Sequence, residues 1–282
     1  MRAALSIAIG LLAAPMAGGL LVGLDRILTA RLQSRVGPPV LQPIFDVVKL
    51  FGKERVVVNS WQAFCAYAYL AAVAVAVVLF FIRSDLLVIF LIQAVGTVFI
   101  VVGALASTSP FSQVGGYREL LQSLACEPLL VLVIAGIYLE TGSFTITAVD
   151  RWPQPLLVRL PLLFISLLLV MAVKLRKSPF DFAAGRHAHQ ELVGGVLTDY
   201  SGPFLALIEI GHWFETILLL GICTLFWAGS RPVMAALAGA AYLSVIWLDN
   251  VTARLNWRVL FGYAWLLGLP LSLINLFWLY RG

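Results

Sequence analysis

The stretch "SPFDFAAGRHAHQELVGGVLTDYSGPFLALIEIGHWFE" runs from Ser178 to Glu215 and changes character along its length. Its first half is polar, with two histidines and several carboxylates, whereas its second half is apolar enough to enter a lipid bilayer. The apolar half nevertheless carries Glu209, His212 and Glu215. Because a charge at the centre of a bilayer costs at least about 2.5 kcal/mol, ionisable groups in such a segment indicate a function.

The whole chain has the composition of a membrane protein. Of its 282 residues, 61% are hydrophobic and only 12% are charged, which excludes an ordinary soluble domain. Apolar runs fall at 3–24, 60–82, 86–107, 119–140, 156–174, 202–227, 232–249 and 258–280. We therefore expect an all-α polytopic membrane protein, with about eight transmembrane helices in a single membrane domain over 1–282.

One connection between these runs has a helical pattern of its own. In "PPVLQPIFDVVKLFGKE", Gln42, Asp46, Lys49 and Lys53 recur at helical spacing, and apolar residues fill the opposite face. The pattern predicts an amphipathic helix over about 39–53 that lies in the membrane interface. A helix that simply covers the bundle fits the same pattern.

The basic residues predict the orientation of the chain. With eight spans both termini lie on one side of the membrane, and 13 of the 19 Lys and Arg residues lie on the other side. The long connections, including the polar loop at about 175–201, are therefore expected to face the cytoplasm, with the protein in the cell inner (cytoplasmic) membrane. Because the net charge of +5 reflects these connections, we expect the lipid membrane as a partner and no nucleic acid.

The cysteines and histidines do not suggest a metal centre. Cys65, Cys126 and Cys223 lie in apolar segments without CxxC pairing, so they are expected to be small core residues. His187 and His189 lack the further strong ligands that a metal site needs. Histidine titrates near neutral pH, so these side chains suit proton transfer better, although for His187 a plain solvated loop fits equally well.

Ionisable residues trace a candidate proton path from the polar loop into the membrane. The path consists of Asp181, His189, Glu191 and Asp199 in the loop, and of Glu127, Glu209, His212 and Glu215 in the spans. The last three fall within an arc of about 120° on one helix face, which must point into the bundle. The alternative is that these groups pair with buried basic residues for assembly alone.

A second set of charged residues is expected to dock partner chains on the cytoplasmic side. The set consists of Arg31, Arg35, Asp46, Lys49 and Arg118. The chain contains no phosphate-binding glycine loop, nucleophile elbow or HExxH motif, so any redox chemistry is expected to belong to partner chains.

Two long motifs resemble a known family. "ARLQSRVGPPVLQPIFDVVKLFGKE" (Ala30–Glu54) and "SPFDF...QELVGGVLTDYSG" (Ser178–Gly202) are similar to the eight-helix membrane subunit of respiratory complex I that abuts the quinone site. They are also similar to the relatives of that subunit in membrane-bound [NiFe] hydrogenases, and the Arg118 and Glu127 pair fits both. The resemblance implies a polar loop that faces the redox arm and intramembrane carboxylates that couple electron transfer to ion movement.

Three shorter motifs favour the Ech-type energy-converting hydrogenases. They are "HAHQELVGG" (His187–Gly195), "CEPLL" (Cys126–Leu130) and "LDNVTARLNWR" (Leu248–Arg258). Quinone-using relatives usually have acidic residues after Pro-Phe-Asp, where this chain has Ala183, Ala184 and Gly185. The resemblance implies hydrogenase large and small subunits, a ferredoxin-like iron–sulfur subunit and an antiporter-like membrane subunit as partners. Iron–sulfur clusters and a [NiFe] centre would lie in those partners and no cofactor in this chain.

Two alternatives stay open from the sequence. One is the equivalent subunit of a complex I-like quinone-reducing oxidoreductase, with Arg31, Arg35 and the polar loop lining a substrate chamber. The other is a self-contained ion transporter. The sequence leaves open whether the ion is H+ or Na+, and whether the electrons come from ferredoxin, carbon monoxide or formate.

Overall fold

The computed structural model describes residues 6–57, 59–177, 194–253 and 255–281. In chain order its helices are α1 (Ser6–Leu32), α2 (Gln42–Phe51), α3 (Ser60–Phe81), α4 (Leu86–Leu105), α5 (Pro110–Thr141), α6 (Ile146–Arg151), α7 (Leu156–Arg159), α8 (Pro161–Lys174), α9 (Gly202–Leu225), α10 (Arg231–Val251) and α11 (Arg258–Arg281). Within these ranges we find no strand beyond an isolated bridge between Asp85 and Thr145. The all-α fold predicted from the sequence is confirmed.

Seven of these helices are long and apolar enough to cross a membrane, namely α1, α3, α4, α5, α9, α10 and α11. The fifth expected span, 156–174, is instead divided, because α7 ends at Arg159 and Pro161 begins α8. Proline has no N–H with which to continue α7, but it fits readily at the start of a new helix. With 14 residues, α8 is about 21 Å long, which is less than the roughly 30 Å of a hydrocarbon core.

Two other boundaries differ from those expected. α1 continues to Leu32 beyond the apolar run, and α5 begins at Pro110 rather than near residue 119. Arg31 and Arg118, which the apolar runs place in connecting loops, therefore lie on helices. Hydropathy marks the part of a helix that suits lipid, whereas the backbone hydrogen bonds continue into polar sequence at both of these ends.

The chain divides into two compact units. The first contains the described residues of Met1–Val78, Ile92–Leu121 and Asp181–Ile217. The second contains those of Leu79–Leu91, Gln122–Phe180 and Leu218–Gly282. The single membrane domain expected from the sequence stays a prediction.

In the first unit, the predicted amphipathic helix is present as α2. Its inner face is apolar, with Val47 buried against Ala206 and Trp213 of α9. A second apolar strip points outward, where Phe45 and Val48 are exposed. Because one apolar side packs on the bundle and another stays exposed, α2 both covers the bundle and suits the membrane interface.

The same unit brings α1 close to α9 at a glycine. A Cβ atom built at Gly18 would lie 2.5 Å from the carbonyl oxygen of Trp213, which is closer than a side chain allows. Small residues permit such close approach of helices in membranes, where packing rather than water drives association. Gly18 therefore allows the backbone of α1 to approach that of α9 closely at Trp213.

In the second unit, a buried polar group supports the break between α7 and α8. The Asn275 side-chain oxygen accepts hydrogen bonds from the N–H groups of Leu162 (2.9 Å) and Leu163 (3.1 Å). Its amide nitrogen donates to the carbonyl oxygen of Arg159 at 3.0 Å. One side chain thus satisfies backbone groups on both sides of the break, which lipid could not do.

The three cysteines are buried and form no disulfide, as expected of core residues. Cys65 lies in the first unit, and Cys126 and Cys223 lie in the second. The Cys223 thiol contacts the Met171 sulfur at 3.1 Å within the core of that unit.

Candidate functional site

The first unit contains a cleft of about 290 Å³ between α1, α2 and α9, which we call the charged cleft. It is lined by Val22, Arg26, Pro43, Asp46, Val47, Lys49, Leu50, Lys53, Leu205, Glu209 and Trp213. The lining combines three cations, two carboxylates and a set of apolar side chains. With all five charged groups ionised, the cleft carries one net positive charge.

A hydrogen-bonded ion pair fixes α2 to α1 beside this cleft. Arg26 of α1 donates to the Asp46 carboxylate at 2.9 Å, and Gln42 donates to the other carboxylate oxygen at 2.8 Å. Burial raises the pKa of Asp46, but the hydrogen bonds from Arg26 and Gln42 and the charges of Arg26 and Lys49 outweigh it. The net pKa therefore lies below its usual value of 3.8, and the carboxylate is ionised at neutral pH.

The ionisable residues of α9 contact different neighbours. Glu209 lines the charged cleft together with Trp213, one turn further along. His212 instead packs edge-on against the buried ring of Tyr69, with 5.8 Å between ring centroids and an interplanar angle of 61°. Glu215 is buried, with 8% of its surface exposed. The helix face that carries Glu209, His212 and Glu215 therefore extends from the charged cleft into the interior of the first unit.

Asp199 lies just before α9 and forms a cluster with two serines, which we call the Asp199 cluster. Its Oδ2 atom accepts hydrogen bonds from the hydroxyls of Ser107 and of Ser112, the latter at 2.7 Å. The Ser107 hydroxyl in turn accepts from the N–H of Ser109 at 3.0 Å. The carboxylate thus ties the segment before α9 to the beginning of α5.

Glu127 belongs to the second unit, where it has a basic neighbour. The Lys174 ammonium lies 3.9 Å from its carboxylate, and the side chains of Lys174 and Glu127 are 12% and 29% exposed, respectively. Lys174 at the end of α8 thus lies alongside α5, which fits the alternative that Glu127 pairs with a basic residue. Near the other end of α8, Arg159 pairs with Glu140 of α5 at 3.5 Å.

The residues expected to dock partners are distributed around the first unit. Arg31 lies in the last turn of α1 and Arg35 in the turn that follows, and both are exposed, as is Lys49. Arg118 is half-buried on α5. Neither Arg31 nor Arg35 lines the charged cleft, and most of the polar loop lies outside the described residues, so the substrate chamber of the quinone alternative stays a prediction.

Several sequence predictions fall outside the described residues. Asp181, His187, His189 and Glu191 lie there, so their place in a proton path stays a prediction. Among the residues that the structure describes, no group of three or more His, Cys, Asp or Glu side chains could hold a metal ion.

Some site residues were missed by sequence reasoning. Arg26 and Trp213 line the cleft, Ser107 and Ser112 hold Asp199, and Lys174 pairs with Glu127. Of these residues, Arg26 could have been found from the sequence, since it is a cation directly after an apolar run and before the segment that contains Asp46. The serines and Trp213 give no such signal, because their partners are distant in sequence.

The fold and the site define a class of protein: a polytopic membrane protein with an amphipathic surface helix, a charged cleft beside it, and carboxylates that continue into the spans. The family described as NADH dehydrogenase matches residues 4–280. The chain belongs to this family.

Individual relatives agree with this assignment. The chain is 32% identical to a subunit of NADH-quinone oxidoreductase from Cereibacter sphaeroides, over 94% of this chain and 92% of the relative. It is 28% identical to the corresponding NADH-quinone oxidoreductase subunit from Syntrophotalea carbinolica, over 89% and 87% of the two chains. A chain of an archaeal membrane-bound sulfane sulfur reductase has a TM-score of 0.88 over 99% of this chain and 100% of its own length, at 21% identity. That last likeness concerns the fold alone.

Proposed function

We propose that this chain is the ion-coupling anchor of its complex, docking the redox arm and passing ions between that arm and the membrane. It is a membrane subunit of a complex I-like respiratory oxidoreductase, by its family and relatives. The observation that carries the proposal is the position of Glu209, which lines the charged cleft at the interfacial helix and lies on the same helix as His212 and Glu215.

In this proposal, protons enter through the polar loop and Asp199 and move along α9. Asp181, His189 and Glu191 act in the loop, and Glu209, His212 and Glu215 act within the span. Each of these side chains is of a type that can gain and lose a proton, as a proton path requires. Glu127 contributes a further exchange step in the second unit, where Lys174 balances its charge.

The exposed cations of the first unit serve as the docking site of the redox arm. Arg31, Arg35 and Lys49 are available at the surface, and Arg118 and Asp46 extend the charged region. Complementary charge on a partner would guide and orient its binding. Electrons remain in partner chains, which hold the iron–sulfur clusters, and this chain provides the anchor and the ion path.

For the electron acceptor, two candidates have separate support. The Ech-type motifs support a hydrogenase, with large and small subunits, a ferredoxin-like subunit and a [NiFe] centre in the partners and an antiporter-like membrane subunit alongside. The names of the relatives and the partly apolar cleft support quinone reduction. The cleft volume of about 290 Å³ is at the lower end of small-molecule sites, which span about 300–1,000 Å³.

Composition and turnover of the purified complex test these candidates. An affinity tag on this chain would isolate the complex from native membranes, and nickel, iron, acid-labile sulfide and bound quinone would be quantified. Stoichiometric nickel and hydrogen evolution from reduced ferredoxin would support the hydrogenase, whereas quinone reduction without nickel would support the quinone enzyme. Isolation of the chain without any redox subunit would contradict the anchor role and favour a self-contained transporter.

A further inference from the structure

A small cavity with four polar and four apolar lining residues lies next to the Asp199 cluster in the first unit. Its volume is about 10 Å³, and its lining includes Asn59, Gln62, Asp199 and Tyr200. A cavity needs about 10–15 Å³ of this kind of volume to hold a water molecule, together with two to four polar partners. The space therefore suits one water molecule and is too small for a larger ligand.

Two buried donors accompany this cavity. The Gln62 side-chain nitrogen and the Tyr200 hydroxyl have no hydrogen-bond partner among the described residues, although the two residues are only 3% and 4% exposed. Burial, with a contribution from the Asp199 charge, raises the pKa of Tyr200 well above its usual value. The phenol therefore stays protonated and keeps its O–H group for donation.

The neighbouring carboxylate has capacity for one more donor. Both serine hydroxyls bind Oδ2 of Asp199, and within the described part of the chain Oδ1 receives no hydrogen bond. Asn59, by contrast, is already engaged, since its amide donates to the Ala106 carbonyl and its oxygen accepts from the Trp61 N–H. The unmet groups at the cavity are thus two donors and one acceptor, which a single water molecule can satisfy together.

We propose that one ordered water molecule occupies this cavity, accepts hydrogen bonds from Gln62 and Tyr200, and donates one to Asp199. If the chain couples ions as proposed above, Gln62 and Tyr200 are positioning residues for proton exchange at Asp199. This consequence rests on the proposed function, whereas the water site does not. Gly103 makes room for the buried Tyr200 hydroxyl, because a Cβ there would overlap it. Tyr200 can reach this position only beside a residue without a side chain.

A cryo-EM map of the whole complex, at a resolution that shows ordered waters, tests the site directly. We expect a density peak within hydrogen-bonding distance of the Gln62 amide and an Asp199 oxygen. The Gln62→Leu variant should lose this peak, because leucine fills a similar volume without a donor. Gln93→Leu is the matched control, since Gln93 is another buried glutamine of the first unit with an unpartnered amide and does not line the cavity.

The turnover of the same variants tests the consequence. Gln62→Leu should lower coupled turnover about fivefold, the factor that one lost hydrogen bond represents, whereas Gln93→Leu should match wild type. Loss of the peak together with unchanged turnover would overturn the positioning role, and a wild-type map without the peak would overturn the water site. Both outcomes differ from a failure of the proposed function, in which the wild-type complex moves no ions while the peak remains.

Discussion

Two buried polar clusters of this protein use their hydrogen-bonding groups in opposite ways. In the second unit, Asn275 is 1% exposed, and both its amide oxygen and its amide nitrogen bind the backbone at the break before Pro161. Among the described residues of the first unit, Asp199 is held on one oxygen only, and the donors Gln62 and Tyr200 at the neighbouring cavity have no partner. We call the group formed by Asn275, Ser166 and Ser272 the Asn275 cluster.

This difference distinguishes a cluster that stabilises the fold, around Asn275, from a cluster that suits proton exchange, around Asp199. Ser166 and Ser272 of the Asn275 cluster both donate to the Gly268 carbonyl, at 3.1 and 2.8 Å. The polar side chains of this cluster are therefore hydrogen-bonded within the protein. A group whose partners are all fixed protein atoms stabilises one structure, whereas a titratable group with capacity left over can exchange protons or bind water. The comparison therefore predicts different failures when each cluster is changed.

The largest effect is expected for Asn275→Leu. The change leaves two N–H groups and one carbonyl unsatisfied in an apolar surrounding, at about 1–3 kcal/mol each. We expect the assembled complex to be strongly depleted in membranes, as measured by immunoblot and by the yield of intact complex. Ser244→Ala is the control, because its hydroxyl bonds only to the Ala241 carbonyl within its own helix, and it should assemble normally. Normal assembly of Asn275→Leu would contradict the claim that the Asn275 cluster stabilises the fold.

The next effect concerns the exposed cations of the first unit. Charge reversal at both Arg31 and Arg35 should release the soluble redox subunits from the membrane, because complementary partner charge would then be repelled. Sedimentation of membranes followed by detection of the redox subunits measures the release. Reversal of Arg281, an exposed cation at the other end of the chain, should leave the complex intact. Retention of the redox subunits after the double reversal would remove the docking role.

A smaller effect is expected at Glu127. The pair with Lys174 has a separation of 3.9 Å and is partly exposed, so its loss should change stability by about 1 kcal/mol or less. Glu127→Gln should therefore assemble, while turnover and ion movement fall together because a titrating group is gone. If Glu127→Gln instead lowers the thermal midpoint and keeps turnover, Glu127 belongs with the architectural groups.

These comparisons also show how far the sequence leads. Apolar runs predicted the spans because a helix in lipid must be apolar, and the spacing of Gln42, Asp46 and Lys49 predicted α2. The break at Pro161 was missed because its stability depends on Asn275, more than a hundred residues away. Glu209 and Asp199 were identified as ionisable groups, but the cleft and the serines around them arise from packing of distant segments, which no local pattern contains.

The smallest effect is a pH dependence of α2. The pKa of Asp46 is depressed in the folded protein, so its ion pair contributes stability above the usual value of 3.8 and loses it as pH falls through the lower folded value. The protection factors of residues 42–51 against hydrogen exchange, which correct for the intrinsic pH dependence of amide exchange, should therefore be unchanged between pH 7 and 5 and should fall only in stronger acid. The Asp46→Asn variant should have lower protection factors at neutral pH and show little further change in acid. Equal protection of both proteins at every pH would show that the pair with Arg26 does not hold α2.

The most direct test of the ion-coupling role is to reconstitute the complex in vesicles with wild-type chain, with Glu209→Gln, and with Glu54→Gln as an exposed control outside the cleft. Acceptor reduction and acidification of the lumen would be recorded together. We predict that all three assemble, that Glu54→Gln matches wild type, and that Glu209→Gln loses both activities by about a hundredfold, the range typical of a lost proton-transfer group. Wild-type rates of both activities in Glu209→Gln would contradict the role of the charged cleft in coupling.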